Sequence, residues 1–451
     1  MSEPIAVAGP PPIKLRAIAP RPREYFGSAL AIHHGAIGVG AWAADAQGQL
    51  SGAAFAYDSI TWCATPLIDA QTGAGDFFGY SLAALPDVLI VGAPGRDSTG
   101  ALDVGAAVEF RRDPAGWQPV ATLLPPAERQ VPGLQFGWAM TAGLSFLGRR
   151  EYTIISTAGS TVFVFERDAG TVNWNAPLTI EPPPDASADF GRTIAAEHDL
   201  IAIVDNQEST ELPGRVYLYE RGTDIWLPAG TLYPATSAPN DNFGTAVAIQ
   251  NGTVFASSVG PASDFAGAVS VFDRDEIGVW RESQTLTAFD ARVLDYFGDS
   301  IGAGDDALLI GAHGDDDHGE GSGAAYLYVR QRESWQFEIK LVPEDGMPDA
   351  YFGLVSGVHG RRGLIAAPQD GESGYYAGAV YVYDLPTFSR GDCNCDGLIN
   401  SFDIDPFVYM LTQQSPLESC ELFHADVNRD GAVNVFDIDA FVHCVLQSGC
   451  Q

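Results

Sequence analysis

The chain has 451 residues, 58 of them acidic and 24 basic, for a formal net charge of −34. Such a surface repels nucleic acid and anionic lipid, and no stretch approaches the roughly 18 consecutive apolar residues that cross a bilayer, so neither nucleic-acid binding nor membrane insertion is expected. Only 18% of residues are charged while 46% are hydrophobic, which excludes a disordered acidic tail.

Fifty glycines, 29 prolines and just two lysines, Lys14 and Lys340, indicate frequent turns and favour an all-β class. Residues 1–12, MSEPIAVAGPPP, read as an N-terminal tail. They carry neither a basic n-region nor an apolar h-region, so no ordinary signal peptide is visible in them. Residues 13–20, IKLRAIAP, follow as an apolar-alternating segment that resembles IKLVP at 339–343.

A Phe-Gly pair then recurs at Phe26, Phe78, Phe136, Phe190, Phe243, Phe297 and Phe352, in steps of 52 to 58 residues. Each pair leads into an alternating small-residue segment such as FGYSLA and then an apolar run such as DVLIVGAP at 87–94, which predicts two strands. A third segment ends in aromatics, as in GRVYLY at 214–219, and a fourth opens on Trp62, Trp117, Trp174, Trp226, Trp280 or Trp335. Four antiparallel strands per repeat select a β-propeller, here of seven blades. The seventh unit stops after Tyr383 and Asp384 without a Trp-led strand, so the segment at Ile13 is expected to complete the last blade and pair both sheet edges.

Three features of the repeat invite a chemical reading. Gly298, Ser300 and Gly302 spell the pattern of a hydrolase nucleophile elbow, but that device needs a strand, a strained turn and a helix, and here it is the opening strand of unit six. His313, Asp315, Asp317 and His318 crowd one connection of unit six and form a candidate divalent-cation site, against a solvated acidic loop as the commoner alternative. Trp42 and Trp138 lie outside the Trp-led strand; core packing is the expected role, with exposure at a propeller end, where sugars stack on aromatics, as the alternative.

The units, with their FGxS-like openings and the Gly92-Ala93-Pro94 turn, resemble FG-GAP repeats, the seven-bladed propeller type of integrin α-subunit heads and many bacterial surface proteins. The resemblance covers about 13–388. That family often carries D-x-D-x-D-G calcium loops between the first two strands of a blade; the connections here, AALPD and AIQNG among them, lack that ligand count, so the resemblance implies the fold without those metal sites.

After a short linker at 385–389 the text changes to two twelve-residue loops, DCNCDGLINSFD and DVNRDGAVNVFD, whose starts lie 34 residues apart. In the first, Asp392, Asn394, Asp396, Asn400 and Asp403 occupy positions 1, 3, 5, 9 and 12, with the Leu398 carbonyl at 7. Asp426, Asn428, Asp430, Ala432, Asn434 and Asp437 repeat that set in the second. Calcium takes about 6 to 8 oxygens, and a glycine at position 6 permits the sharp turn that converges them, so two Ca²⁺ ions are expected. Each loop enters a helical pattern, FDIDPFVYML and FDIDAFVHCV.

A calcium loop followed by one helix, present twice, resembles a type I dockerin, and 389–451 is read as that domain. The resemblance implies a cohesin-like partner, with either helix able to present the docking face. Loop positions 10 and 11, where many dockerins carry small hydroxyl residues, are Ser401 with Phe402, and Val435 with Phe436, which makes these four the candidate docking residues. The extra cysteines look like those of dockerin variants in planctomycete-type bacteria. A Cys395–Cys420 bridge is one pairing, Cys444 with Cys450 another. The combined expectation is a secreted or cell-surface, non-enzymatic interaction protein whose propeller binds a protein or a glycan. The alternative is a component of a polysaccharide-degrading system, a glycoside hydrolase or a carbohydrate-binding propeller.

Overall fold

The computed structural model describes residues 11–447 apart from 34–35, 60, 146–147, 159–160, 207–212, 224, 237, 276, 305, 332–333, 361, 386–390, 392, 394–398, 414–424, 426 and 428–432. The linker read at 385–389 therefore lies almost wholly outside the described residues.

Seven four-stranded antiparallel sheets make up the propeller, one per Phe-Gly unit. Blade 1, for example, runs Ala29–His33, Ala36–Ala41, Ala53–Asp58, Ala64–Leu67, and blade 6 runs Phe297–Ala303, Ala307–Ala312, Ala324–Gln331, Ser334–Leu341. The first strand of each blade touches the first strands of its two neighbours, and the circle closes where Val355–His359 meets Ala29–His33. Second strands such as Val88–Ala93 are buried along their whole length, which is why they read as unbroken apolar runs.

The Phe-Gly pair joins adjacent blades. All seven of these phenylalanines are at most 2% exposed, and each packs edge-to-face on a third-strand aromatic of its own blade, as Phe297 does on Tyr326 at 5.3 Å and Phe352 on Tyr381 at 5.3 Å. The backbone reaches both ways. Phe78 N–H donates to Ser51 O of the preceding blade at 2.9 Å, while Gly79 N–H donates to Gly92 O of its own blade at 2.9 Å. Phe352 and Gly353 repeat this with Ser322 O at 3.1 Å and Ala366 O at 2.9 Å. Gly79 has φ 90°, and a Cβ there would meet Ala53 O at 2.1 Å; Gly52, on the facing chain, would place one 2.0 Å from Phe78 O. Ser81 and Ser300 add a further tie, each donating its Oγ–H to the next blade's glycine carbonyl, Gly137 O and Gly353 O, at 2.7 Å. Ser300 is thus a strand residue inside the ring, and no nucleophile elbow exists there.

Strand Ile13–Leu15 completes blade 7 as expected, with Ile13 opposite Val382, Lys14 opposite Tyr381 and Leu15 opposite Val380. The Trp-led strand holds in blades 2, 4, 5 and 6 and shifts in two others. In blade 3 the strand is only Leu178–Ile180, four residues past Trp174. Trp174 instead lies over the buried Arg167 guanidinium at 3.9 Å and donates Nε1–H to Glu109 at 2.6 Å. Glu109 and Arg167, both fully buried, pair at 2.8 Å and so link blades 2 and 3. In blade 1, Trp62 occupies a turn at φ 58° ahead of Ala64–Leu67.

Gly79→Ala is expected to lower propeller stability by about 3 kcal/mol or more, since it adds a backbone collision to left-handed strain. Gly75→Ala, at φ 81° with open space around its Cβ position, should cost only the strain, about 1–2 kcal/mol. Equal denaturation midpoints for the two variants would contradict the close-approach account.

Candidate functional site

Among the described residues the tail contains helices α1 (Ile404–Gln413) and α2 (Asp437–Gln447). A 3-10 turn, Ser401–Asp403, precedes α1 and is held by a reciprocal cap. Asp403 Oδ2 accepts the Asn400 N–H at 2.8 Å, and Asn400 Oδ1 accepts the Phe402 N–H at 2.9 Å. Asp437, Asn434 and Phe436 reproduce this with 2.9 Å at both bonds. The 34-residue repeat of the sequence is therefore a repeat of local geometry.

The helices share a small core. Phe407 and Phe441, related by the same shift, stack face to face at 3.9 Å with 3° between their planes, and Met410, Val433 and Cys444 close around them. Cys444 is disulfide-bonded, Cys393 is buried in this core, and Cys63 is an exposed free thiol. The expected pairing of Cys395 with Cys420 lies outside the described residues, as do Cys450, Asp392, Asn394, Asp396, Leu398, Asp426, Asn428, Asp430 and Ala432.

Asp403 and Asp437 are fully buried. A buried carboxylate needs a cation or a dense set of donors, yet residues 391–451 contain ten acids, no lysine and a single arginine, Arg429. Hard oxygen donors from Asn400, Asp403, Asn434 and Asp437 in a cation-poor segment fit calcium.

All four candidate docking residues are exposed: Ser401, Val435, Phe402 at 76% and Phe436 at 75%. The structure adds residues that sequence reading missed. Ile404 and Val408 on α1, and Ile438, Val442 and Leu446 on α2, are exposed on the same side of their helices at four-residue spacing. The signal was present in FDIDPFVYML, where two apolar positions per turn exceed what one small core can take in.

The acidic loop of blade 6 is organised around a lysine. The carboxylates whose ligand atoms lie within 4.8 Å of one another are Asp290, Asp315 and Asp317, without either histidine. Lys340 Nζ donates to all three, at 2.8, 2.6 and 2.6 Å, and so stands where a divalent cation would. Burial opposes the charge of Lys340, but these three partners outweigh it and raise its pKa; burial likewise works against Asp317, whose carboxyl Lys340 nonetheless holds below its ordinary range. His313 instead stacks on Tyr296 at 4.7 Å and contacts Asp299 at 3.0 Å, and His318 Nδ1 faces Pro343 O at 3.1 Å. Blade 7 repeats the lysine arrangement, with Lys14 on Asp345, Asp370 and Glu372 at 2.6, 2.9 and 2.7 Å. The two lysines of the chain thus fill equivalent positions, and Lys14 also fastens the ring closure.

No described helix is long and apolar enough to cross a membrane. Residues 65–108, 280–328 and 335–383 match the FG-GAP repeat family, and 390–443 match the dockerin type I domain. No curated protein matches the chain. Among solved structures, a putative 6-phosphogluconolactonase from Bacteroides uniformis aligns with 70% of this chain and 85% of its own at 11% identity and a TM-score of 0.48, a likeness that carries no functional argument.

Lys340→Met leaves three carboxylates facing one another without their cation, and should cost about 3–5 kcal/mol of propeller stability. Thermal unfolding checks this; a loss below about 1 kcal/mol would mean that the cluster is solvated and the lysine incidental.

Proposed function

We propose that this chain, an FG-GAP propeller with a C-terminal type I dockerin domain, is a non-enzymatic interaction protein of the cell exterior, held on a scaffold through its tail while the propeller engages a ligand. Type I dockerins in general bind calcium and dock onto cohesin domains, and both module types are non-catalytic and typically extracellular or cell-surface. In this reading residues 389–451 form the docking unit, two Ca²⁺ ions occupy its loops through Asp392 to Asp403 and Asp426 to Asp437, and a cohesin-like domain is the partner. Residues 13–388 form the ligand-presenting unit.

The observation that carries the reading is the doubled apolar face. Phe402 with Ile404 and Val408, and Phe436 with Ile438 and Val442, are two copies of one exposed patch, each anchored by a buried aspartate at the end of a loop. Exposed aromatic and aliphatic residues on a rigid helix suit an interface core. The same doubling accounts for either helix serving as the docking face.

Capture of the full chain on an immobilised type I cohesin tests this. Capture is expected in calcium and not in chelator, with Phe402→Ala or Phe436→Ala tolerated singly and the double variant weakened about tenfold or more. Calcium-independent capture, or a double variant that binds as well as the wild type, would contradict it.

A further inference from the structure

We propose that one end of the propeller is a saccharide-binding surface, on which a neutral pyranose lies against Trp138 with a substituent in the recess beside Asp189. The proposal rests on the reading of the propeller as the ligand-presenting unit, and it names the ligand's chemistry. The end concerned carries the Phe-Gly turns and the connections between second and third strands. The chain leaves the propeller at the other end, since Asp384 pairs with Arg362 beside the first hairpin of blade 7.

Aromatic rings at that end form one continuous arc. Tyr375 and Tyr376 of blade 7 stack at 3.8 Å, and Tyr376 meets Tyr25 at 5.6 Å. Tyr25 stacks on Trp42 at 5.8 Å, Trp42 meets Tyr80 at 6.3 Å, and Tyr80 meets Trp138 at 5.0 Å. The rings are half-buried apart from Tyr375, which is 58% exposed. They follow one another over blades 7, 1, 2 and 3 at spacings comparable to a pyranose ring.

The fold does not require these side chains. Tyr25 and Phe77 precede their Phe-Gly pairs at φ 54° and 55°, and the equivalent residues of blades 3 and 5, Gln135 and Asn242, hold the same backbone at 54° and 50°. The position after the Phe-Gly pair is Tyr80 in unit two and Trp138 in unit three, but Ser28, Arg192, Thr245, Asp299 and Leu354 elsewhere. The blade cores are already filled by the phenylalanines of the pairs. Tyr296 and Tyr351 hold the position before the pair in blades 6 and 7, where they meet His313 at 4.7 and 5.0 Å, so what is particular to blades 2 and 3 is the ring after the pair, Tyr80 and Trp138, and the arc stops where Arg192 takes that place.

At that stop, Trp138 borders a recess of about 50 Å³ together with Thr157, Asp189 and Arg192. The volume suits a group of roughly one or two waters in size, such as a hydroxyl or hydroxymethyl, and is too small for a whole sugar. Arg192 and Asp189, 3.5 Å apart, supply a donor fork and an acceptor at the edge of an aromatic plate. The C–H face of a sugar suits such a plate, while its hydroxyls suit a paired donor and acceptor. The net charge of −34 disfavours polyanionic glycans and leaves neutral ones.

Titration of the full chain with cellohexaose, xylohexaose and mannohexaose, each in turn, tests the proposal through tryptophan fluorescence and calorimetry. At least one is expected to bind, with affinity falling about tenfold or more in Trp138→Ala, less in Trp138→Phe, and measurably in Arg192→Ala, a solvent-exposed position that leaves the fold intact. Failure of all three to bind overturns the proposal, as does unchanged binding by Trp138→Ala and Arg192→Ala. Hexa-arginine binding that Trp138→Ala abolishes, with no saccharide bound, would assign a cationic partner and also overturn it. Calcium-dependent capture on cohesin is read on the same variants, so failure at the propeller is distinguished from failure of the docking reading.

Discussion

The Phe-Gly dipeptide is where neighbouring blades become one ring. Its phenylalanine fills the wedge between two sheets while its N–H groups divide between them, Phe78 bonding back to Ser51 and Gly79 bonding forward to Gly92. This requires two backbones to approach within a distance that admits no Cβ, so glycine stands on both sides of the contact, at Gly79 and at Gly52. The bond back to the preceding blade is made by five of the seven phenylalanines, while Phe190 and Phe243 donate to Ser187 O and Asp241 Oδ1, and the repeat period reflects the return of this contact at each blade. Once the ring is closed, the loops at its ends are relieved of structural work, and they are where the blades differ.

Charge is handled in two ways along this acidic chain. In blades 6 and 7 the carboxylates converge on Lys340 and Lys14, two internal ammonium ions whose tyrosine neighbours complete the sets: Tyr326 donates to Asp290 at 2.7 Å and Tyr381 to Asp345 at 2.9 Å. In blades 2 and 3 the buried Glu109 is matched by Arg167 and the Trp174 indole. The tail has no comparable supply of cations. In the proposed reading its carboxylates take an external one, calcium, as type I dockerins in general do.

Much of this was legible in the sequence because the repeat is long and its markers are physical necessities. Seven Phe-Gly pairs predicted seven blades, and the likeness of IKLR to IKLVP placed Lys14 and Lys340 at the same register position, which the pairing of Lys14 with Tyr381 and Lys340 with Tyr326 bears out. What stayed hidden depended on contacts remote in sequence. The cluster of His313, Asp315, Asp317 and His318 looked like a metal site since its neutralising partner, Lys340, and its third carboxylate, Asp290, are 50 residues apart. Trp42 and Trp138 already stood out as lying off the Trp-led strand, but the tyrosines that join them, Tyr25 and Tyr80, sit beside core residues in the sequence with the same side-chain character, and only blade-by-blade position separates them.

The ring holds itself together through its own contacts, and the tail is proposed to depend on calcium. Scanning calorimetry of the full chain, with calcium and then with excess chelator, tests that division most directly. Two transitions are predicted in calcium; chelation should remove or sharply lower the smaller one and leave the larger, belonging to the propeller, in place. A single transition that moves as a whole on chelation, or two transitions that both ignore it, would contradict the account.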